Sequence, residues 1–285
     1  MEHGLTRRCS VLQLALLIFS LFFPSLSRAQ PALYPIKFKS SPSLTITDMG
    51  SWKAIRKGTE FRRASLERTE PHYLVGLTMV RFDTRWIVPR VVRSTQFNLP
   101  SADVRTLAEK SGAIATINAS YFDEKGKPLG FLKAQADHSN QAVSKSALFT
   151  GIFGVKSRLP FISHRDDFSP EQADEGLQAG PLLLMRGTPL SVTRGAGRQS
   201  RRSLIGIDKE HRLIIAVTDG LLGGLSWVEV QEFFASPEWQ AQTTDLLNLD
   251  GGGSTQLYIK GAQLEEHVPG TAYVPVVVGF FPKTD

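Results

Sequence analysis

The chain has 285 residues, a net charge of +6 and a single cysteine, Cys9. That length suits one large domain or two small ones, with enough core to fold without covalent staples. One cysteine excludes a disulfide framework and cysteine-based metal sites. The mild positive balance is compatible with anionic substrates without specifying them.

Arg7 and Arg8 precede an apolar run from Val11 to Phe23, which is followed by Pro24 and Ser27-Arg28-Ala29. A basic start, a run too short to span a bilayer and small residues before a cut after Ala29 predict a signal peptide over residues 1–29. Cys9 lies before the apolar run, where a lipid-anchoring cysteine would follow it, and no later segment reads as a membrane span. Removing 29 of the 285 residues, with Arg7, Arg8, Arg28 and Glu2 among them, leaves 256 residues with a net charge of +4. A cysteine-free exported chain points to a bacterial periplasm or cell surface.

Residues 30–69 read as an extended lead-in and the first elements, and residues 70–285 as the main domain. Residues 73–82 and 86–92 are rich in β-branched and aromatic side chains and predict strands. Ser101 serves as N-cap for a helix that Gly112 stops. Residues 113–117 form a buried strand ending at Asn118. Residues 148–155 and 159–162 predict a hairpin, and 164–175 a polar surface loop. A turn at 178–181 leads into a strand at 182–185. A second hairpin spans 203–207 and 212–218 and runs out at Asp219. Ser226 and Glu229 form a capping box for a helix with Trp227, Val230, Phe233 and Phe234 on its core stripe. A short helical turn is predicted from Pro237, and a valine-rich strand over 273–281. Strands dominate with two helices inserted, which predicts the α+β class: a mixed, strand-rich sheet core with a few packed helices in a single domain.

Three stretches carry candidate chemistry, each with a plainer alternative. Asn118, followed by Tyr121 and Phe122, either closes an Asx-turn over core aromatics or sets an amide and a stacking surface at a pocket rim. Residues 118–120 also match the N-glycosylation sequon. Residues 194–202 hold four arginines and two glycines, forming either a solvated basic loop or a phosphate clamp, since guanidinium forks match phosphate oxygens. Residues 248–255, Asn-Leu-Asp-Gly-Gly-Gly-Ser-Thr, lie between two apolar runs. They make either a hairpin turn or an anion nest from the N–H groups of Gly251, Gly252 and Gly253, with the Ser254 and Thr255 hydroxyls beside it and Asp250 at its mouth.

Other chemistries fall away. The six histidines are scattered without metal-ligand spacing. There is no G-x-S-x-G elbow, no P-loop lysine and no dinucleotide fingerprint. The basic residues are not interleaved with aromatics, which argues against nucleic acid. No metal site or cofactor is predicted, although a divalent cation at Asp250 stays open, because carboxylates and carbonyls suit hard ions.

Five segments recur in a familiar order: Ile117-Asn118 with Tyr121-Phe122-Asp123, Ala179-Gly180-Pro181-Leu182-Leu183, Arg202-Ser203-Leu204-Ile205-Gly206, Asp219-Gly220, and residues 248–254. Together, over roughly residues 70–282, they resemble the phosphodiester glycosidase family, whose members include the enzyme that uncovers mannose 6-phosphate. Where that family commonly has two glycines, this chain has Ala119 and Ser120. The resemblance implies an exported hydrolase that frees a sugar from a sugar 1-phosphodiester in a glycan or cell-envelope polymer. It implies Asp250 as first catalytic carboxylate and Asp219 as second. Arg202, helped by Arg198 or Arg201, would hold phosphate, and Gly251, Gly252, Gly253, Ser254 and Thr255 would complete the cradle. Asn118, Tyr121, Phe122 and Gly180 would line the sugar site. The partner is then a phosphorylated saccharide, with no nucleic acid and no membrane anchor after signal cleavage. Two other readings stay open: a non-catalytic periplasmic or surface protein that binds phosphorylated glycans in the same pocket, and a structural exopolysaccharide-assembly factor that binds no small ligand.

Overall fold

The computed structural model describes Met1 and residues 35–283, apart from 136, 141, 194, 221–222 and 238–241, and only the backbone of 137–139. The predicted leader beyond Met1, Arg194 of the basic loop and the turn predicted beyond Pro237 lie outside the described residues.

Among the described residues, three antiparallel sheets carry the chain. The large sheet runs Ile36–Lys37, Leu44–Asp48, Thr59–Thr69, His72–Phe82, Leu213–Asp219, Ser203–Asp208, Thr243–Asn248, Leu182–Met185, Thr188–Pro189, and Lys53–Arg56 also pairs with Thr59–Thr69. A second sheet orders Leu159–His164, Gly151–Lys156, Glu175–Ala179, Leu132–Ala134 and Asp137–Asn140. The third orders Glu265–Val268, Leu257–Lys260, Ala115–Asn118, Val276–Pro282 and Ile87–Arg93.

With only two α-helices among the described residues, Val104–Ser111 and Trp227–Ala235, the protein is mostly β, and the expected α+β class overstated the helix. The strands of residues 44–69 were hidden by charge on both faces: in Thr59–Thr69 the buried positions include Arg62 and Arg68 as well as Ala64 and Leu66, while Arg63 and Ser65 are exposed. The first helix is capped by Asp103, whose carboxylate accepts the Thr106 N–H at 3.0 Å, and not by Ser101. Gly112, at φ 76°, ends it as expected.

The large sheet is covered on both faces. Side chains alternate along a strand, so Ile205, Ile215 and Leu247 face a core shared with the second and third sheets. Leu204, Ile214, Ala216 and Leu246 face the opposite way, against Trp227, Val230, Phe233 and Phe234 of the second helix. This two-sided burial explains why residues 213–217 read as an unbroken apolar run. Arg68 and Glu229 lock that helix to the sheet with a 2.7 Å ion pair, their side chains 1% and 3% exposed. Removing one partner of such a pair leaves a bare buried charge and costs about 3–5 kcal/mol.

The two apolar runs around the glycine turn are not hairpin partners. Thr243–Asn248 belongs to the large sheet and Leu257–Lys260 to the third, so residues 249–256 carry the chain from one sheet to the other.

Candidate active site

The central strand Ser203–Asp208 has Leu213–Asp219 on one side and Thr243–Asn248 on the other. Its bonding continues upstream of Ser203. Thr218 N donates to Arg202 O at 2.9 Å, and Arg202 N donates to Thr218 Oγ1 at 2.7 Å. On the other side Leu249 N reaches Ser203 O at 2.8 Å and Gly252 N reaches Arg201 O at 2.9 Å. Arg201 and Arg202 therefore lie between the strand end that carries Asp219 and the turn that carries Asp250.

Arg202 is buried, 6% exposed. Its Nε donates to Leu225 O at 2.8 Å and an Nη to Arg198 O, and the guanidinium carbon lies 4.7 Å from the centroid of the Trp227 ring. Among the described residues it forms no ion pair with a carboxylate. Burial lowers its pKa to about 10, so it stays cationic at neutral pH. Arg201 is similar: one Nη donates to Thr255 O at 3.0 Å and to Pro269 O at 2.7 Å, while its buried Nε has no partner. Burial lowers its pKa too, partly offset by the charge of Asp219. Asp219 itself is half exposed and pairs with Arg63 at 2.9 Å.

Asp250 sits at the junction of two sheets. Its N–H donates to Ala119 O at 3.0 Å, and its carbonyl accepts the Asn118 amide at 2.7 Å. The carboxylate accepts the Gly251 N–H at 2.9 Å. Burial raises its pKa above the usual carboxylate range, opposed by the Ser254 hydroxyl and the Gly251 N–H. Asn118 is no Asx-turn. Its Oδ1 accepts from Ser203 Oγ at 2.6 Å and from Gln256 N at 3.1 Å, so one side chain fastens the turn between the sheets.

A second brace was missed in the sequence. Asn248 donates to Gly180 O at 2.8 Å, Leu249 O at 2.7 Å and the Tyr121 hydroxyl at 3.1 Å, and accepts from Trp227 Nε1 at 3.2 Å. A polar residue ending an apolar strand was the available signal, the same one that singled out Asn118. Trp227 was read as core only, yet it is the surface on which Arg202 lies. Tyr121, expected to orient sugar, spends its hydroxyl on Gly180 O at 2.9 Å. Burial and the Asp250 charge push its pKa upward. Gly180 admits no Cβ, which would stand 1.9 Å from Leu148 O. Phe122 packs instead with the cluster around Val104 and Val277.

The glycine turn is not a nest of three open N–H groups, since those of Gly251 and Gly252 are engaged. Gly251 N serves Asp250, Gly252 N serves Arg201 O, and Ser254 N serves Gly251 O. Gly252 takes φ 60°, and a Cβ on Gly253 would stand 2.7 Å from Thr271 Oγ1, so these glycines give shape and close approach. Ser254 is buried against the carboxylate, and the buried Thr255 hydroxyl has no partner. The structure thus gathers Asp250, Arg201, Arg202, Asn118, Tyr121, Gly180 and the glycine turn, with Asp219 beside Arg201 and Phe122 apart. Among the described residues no group of three or more His, Cys, Asp or Glu converges as a metal site.

The family described as phosphodiester glycosidase matches residues 111–281, leaving residues 70–110 outside the match. No curated protein matches the chain. The zebrafish N-acetylglucosamine-1-phosphodiester alpha-N-acetylglucosaminidase catalytic domain, auto-inhibited by its pro-peptide, superposes with a TM-score of 0.61 at 17% identity, over 83% of this chain and 87% of that one. A hypothetical protein from Synechocystis gives 0.59 at 16% identity over 84% of this chain, which spans only 64% of that protein. At these identities the likeness is one of fold.

The raised Asp250 pKa fixes the sign of a stability effect. A carboxyl whose folded pKa exceeds its unfolded value stabilises the fold below the unfolded pKa and loses that contribution as pH rises through the folded one. Asp250→Asn should therefore be more stable than the parent at neutral pH, with the gain vanishing near about pH 3, where both are uncharged. Urea midpoints at the two pH values check this.

Proposed function

Because the chain belongs to the phosphodiester glycosidase family, we propose that it hydrolyses the bond between the anomeric carbon of a sugar and the phosphate of a sugar 1-phosphodiester. The observation that carries this reading is Arg202, a buried guanidinium without a carboxylate ion pair among the described residues, at the strand end whose backbone bonds to the turn that carries Asp250. A buried cation held only by carbonyls and an indole face is prepared for an anion. Arg201 adds a second cation whose buried Nε is unbonded.

The chemistry follows from the leaving group. Water bonds to the anomeric carbon, the bond from that carbon to the phosphate oxygen breaks with its electron pair, and the water proton passes to Asp250. The departing phosphomonoester has a second pKa of about 6. It needs no general acid, unlike the alcohol released by an ordinary glycosidase. Asp250 in its ionised form accepts the proton, and Arg202 and Arg201 stabilise charge gathering on the phosphate. Asn118, Tyr121 and Asn248 act on the backbone that holds Asp250. Asp219, paired with Arg63, moderates the field of Arg201 rather than performing the chemistry.

Asp250→Asn should lower kcat by about 10²–10⁴-fold. Arg202→Met should weaken binding of sugar 1-phosphodiester by about 10–100-fold, as expected for a lost charged hydrogen bond. The acid limb of the parent's kcat/KM profile should lie above the ordinary carboxylate range, since the rate falls as Asp250 is protonated. Near-parental turnover in Asp250→Asn would sink the assignment, and a binding isotherm without released sugar would make the protein a binding module. The chain is exported in this reading. N-terminal sequencing of the exported form should begin at Gln30, and a retained leader would contradict it.

A further inference from the structure

Three turns converge at the end of the large sheet opposite the candidate active site. Register places Thr59, Phe82 and Leu213 side by side across three neighbouring strands. Beyond that row lie the turns at residues 57–58, 83–86 and 209–212. Leu213–Asp219 runs from this end to the candidate active site, about 20 Å at about 3.3 Å per residue. The turns border a cleft of about 560 Å³, within the size range of small-molecule sites. Neither Asp250 nor Arg202 lines it. Its walls are set by the fold. Gly58 takes φ 71°, and a Cβ there would stand 2.7 Å from Trp86 Cβ, so glycine lets the first two turns meet. The buried Asp208 carboxylate shapes the third, accepting the N–H groups of Glu210 at 3.0 Å and Arg212 at 2.9 Å.

The charges that line the cleft are unevenly engaged. Asp83 takes the Nε and one Nη of Arg85, Glu60 takes Arg81, and Glu210 takes Arg212. Each of these carboxylates therefore has an arginine of its own. Arg56, which also lines the cleft, makes no ion pair among the described residues. One Nη of Arg85 and one of Arg212 likewise have no bond there. The Thr59 hydroxyl lies among them at a residue 1% exposed and has no partner. A buried hydroxyl in that state is uncommon, because it loses water without compensation.

Three guanidinium groups with donors left over, and a hydroxyl beside them, match the oxygens of an anion. A bare oxyanion would not fill the cleft, and the remaining lone pairs of Glu60 and Glu210 accept hydroxyl groups. The same carboxylates repel a second negative group. We propose that this cleft is a second ligand site, which binds one oxyanion group, carboxylate or phosphate, carried on a small hydroxylated molecule. The site does not depend on the chemistry proposed at Asp250.

The test is calorimetric titration of the full mature chain carrying Arg202→Met, which weakens anion binding at the candidate active site. Glucose 6-phosphate and glucuronate each present one anionic group on a hydroxylated ring, and glucose presents none. At least one of the two anions should bind, with glucose about 10-fold weaker or more. Whichever binds tighter tells phosphate from carboxylate. Arg56→Gln, at an exposed position, should weaken that anion by about 10–100-fold, and Thr59→Val by about 2–10-fold, as lost charged and neutral hydrogen bonds do. Arg56→Lys should recover part of the loss, and the urea midpoint of Arg56→Gln should stay parental. Binding of neither anion, glucose bound as tightly as the better anion, or an affinity unmoved by both Arg56→Gln and Thr59→Val would each overturn the inference. All three outcomes leave the active-site reading standing.

Discussion

The structure depends on how it treats two buried arginines. Arg68 is matched by Glu229 at 2.7 Å, and the pair fastens the second helix to the large sheet. Arg202 lies near the same helix and has no such match. Its donors go to the carbonyls of Leu225 and Arg198, and its face lies on Trp227. Carbonyl bonds and a desolvated cation–π contact return only part of the several kcal/mol that burying an ion costs. The fold solves this problem with a carboxylate at Arg68 and without one at Arg202, and on the proposed reading that difference leaves Arg202 for a ligand.

The rest of the site fixes Asp250 on the turn that bonds to the same strand end. The chain passes from the large sheet to the third sheet at residues 249–256, where the regular ladders give way to isolated backbone bonds. Two asparagines replace the ladder: Asn118 reaches Asp250 O, Gln256 N and Ser203, and Asn248 reaches Gly180 O and Leu249 O. Fully bonded buried amides of this kind specify one geometry. The carboxylate that results is partly desolvated, and burial raises its pKa against the Ser254 and Gly251 bonds that lower it.

Much of the fold was legible from the residues. Strand periods, the Ser226 capping box and the Gly112 stop all correspond to the structure because each depends on neighbours within a few positions. The strands in residues 44–69 were not legible, since Arg62 and Arg68 stand at buried positions and mask the alternation. The candidate site was legible as a set of residue types and less so as a set of roles. Tyr121 is a polar aromatic after a strand end, which suggested sugar, but its hydroxyl is taken by Gly180, 59 residues away. The glycine run suggested a nest, but the N–H groups of Gly251 and Gly252 are engaged by Asp250 and Arg201. Which of the arginines would be buried, and that Trp227 would carry it, depends on a helix packing across the sheet. No local pattern records that contact.

A structure of the protein soaked with a sugar 1-phosphate tests the central claim most directly. The account predicts phosphate oxygens within hydrogen-bonding distance of the Arg202 guanidinium and the anomeric carbon turned toward the Asp250 carboxylate. Phosphate bound elsewhere, with Arg202 still held only by the carbonyls of Leu225 and Arg198, would contradict it.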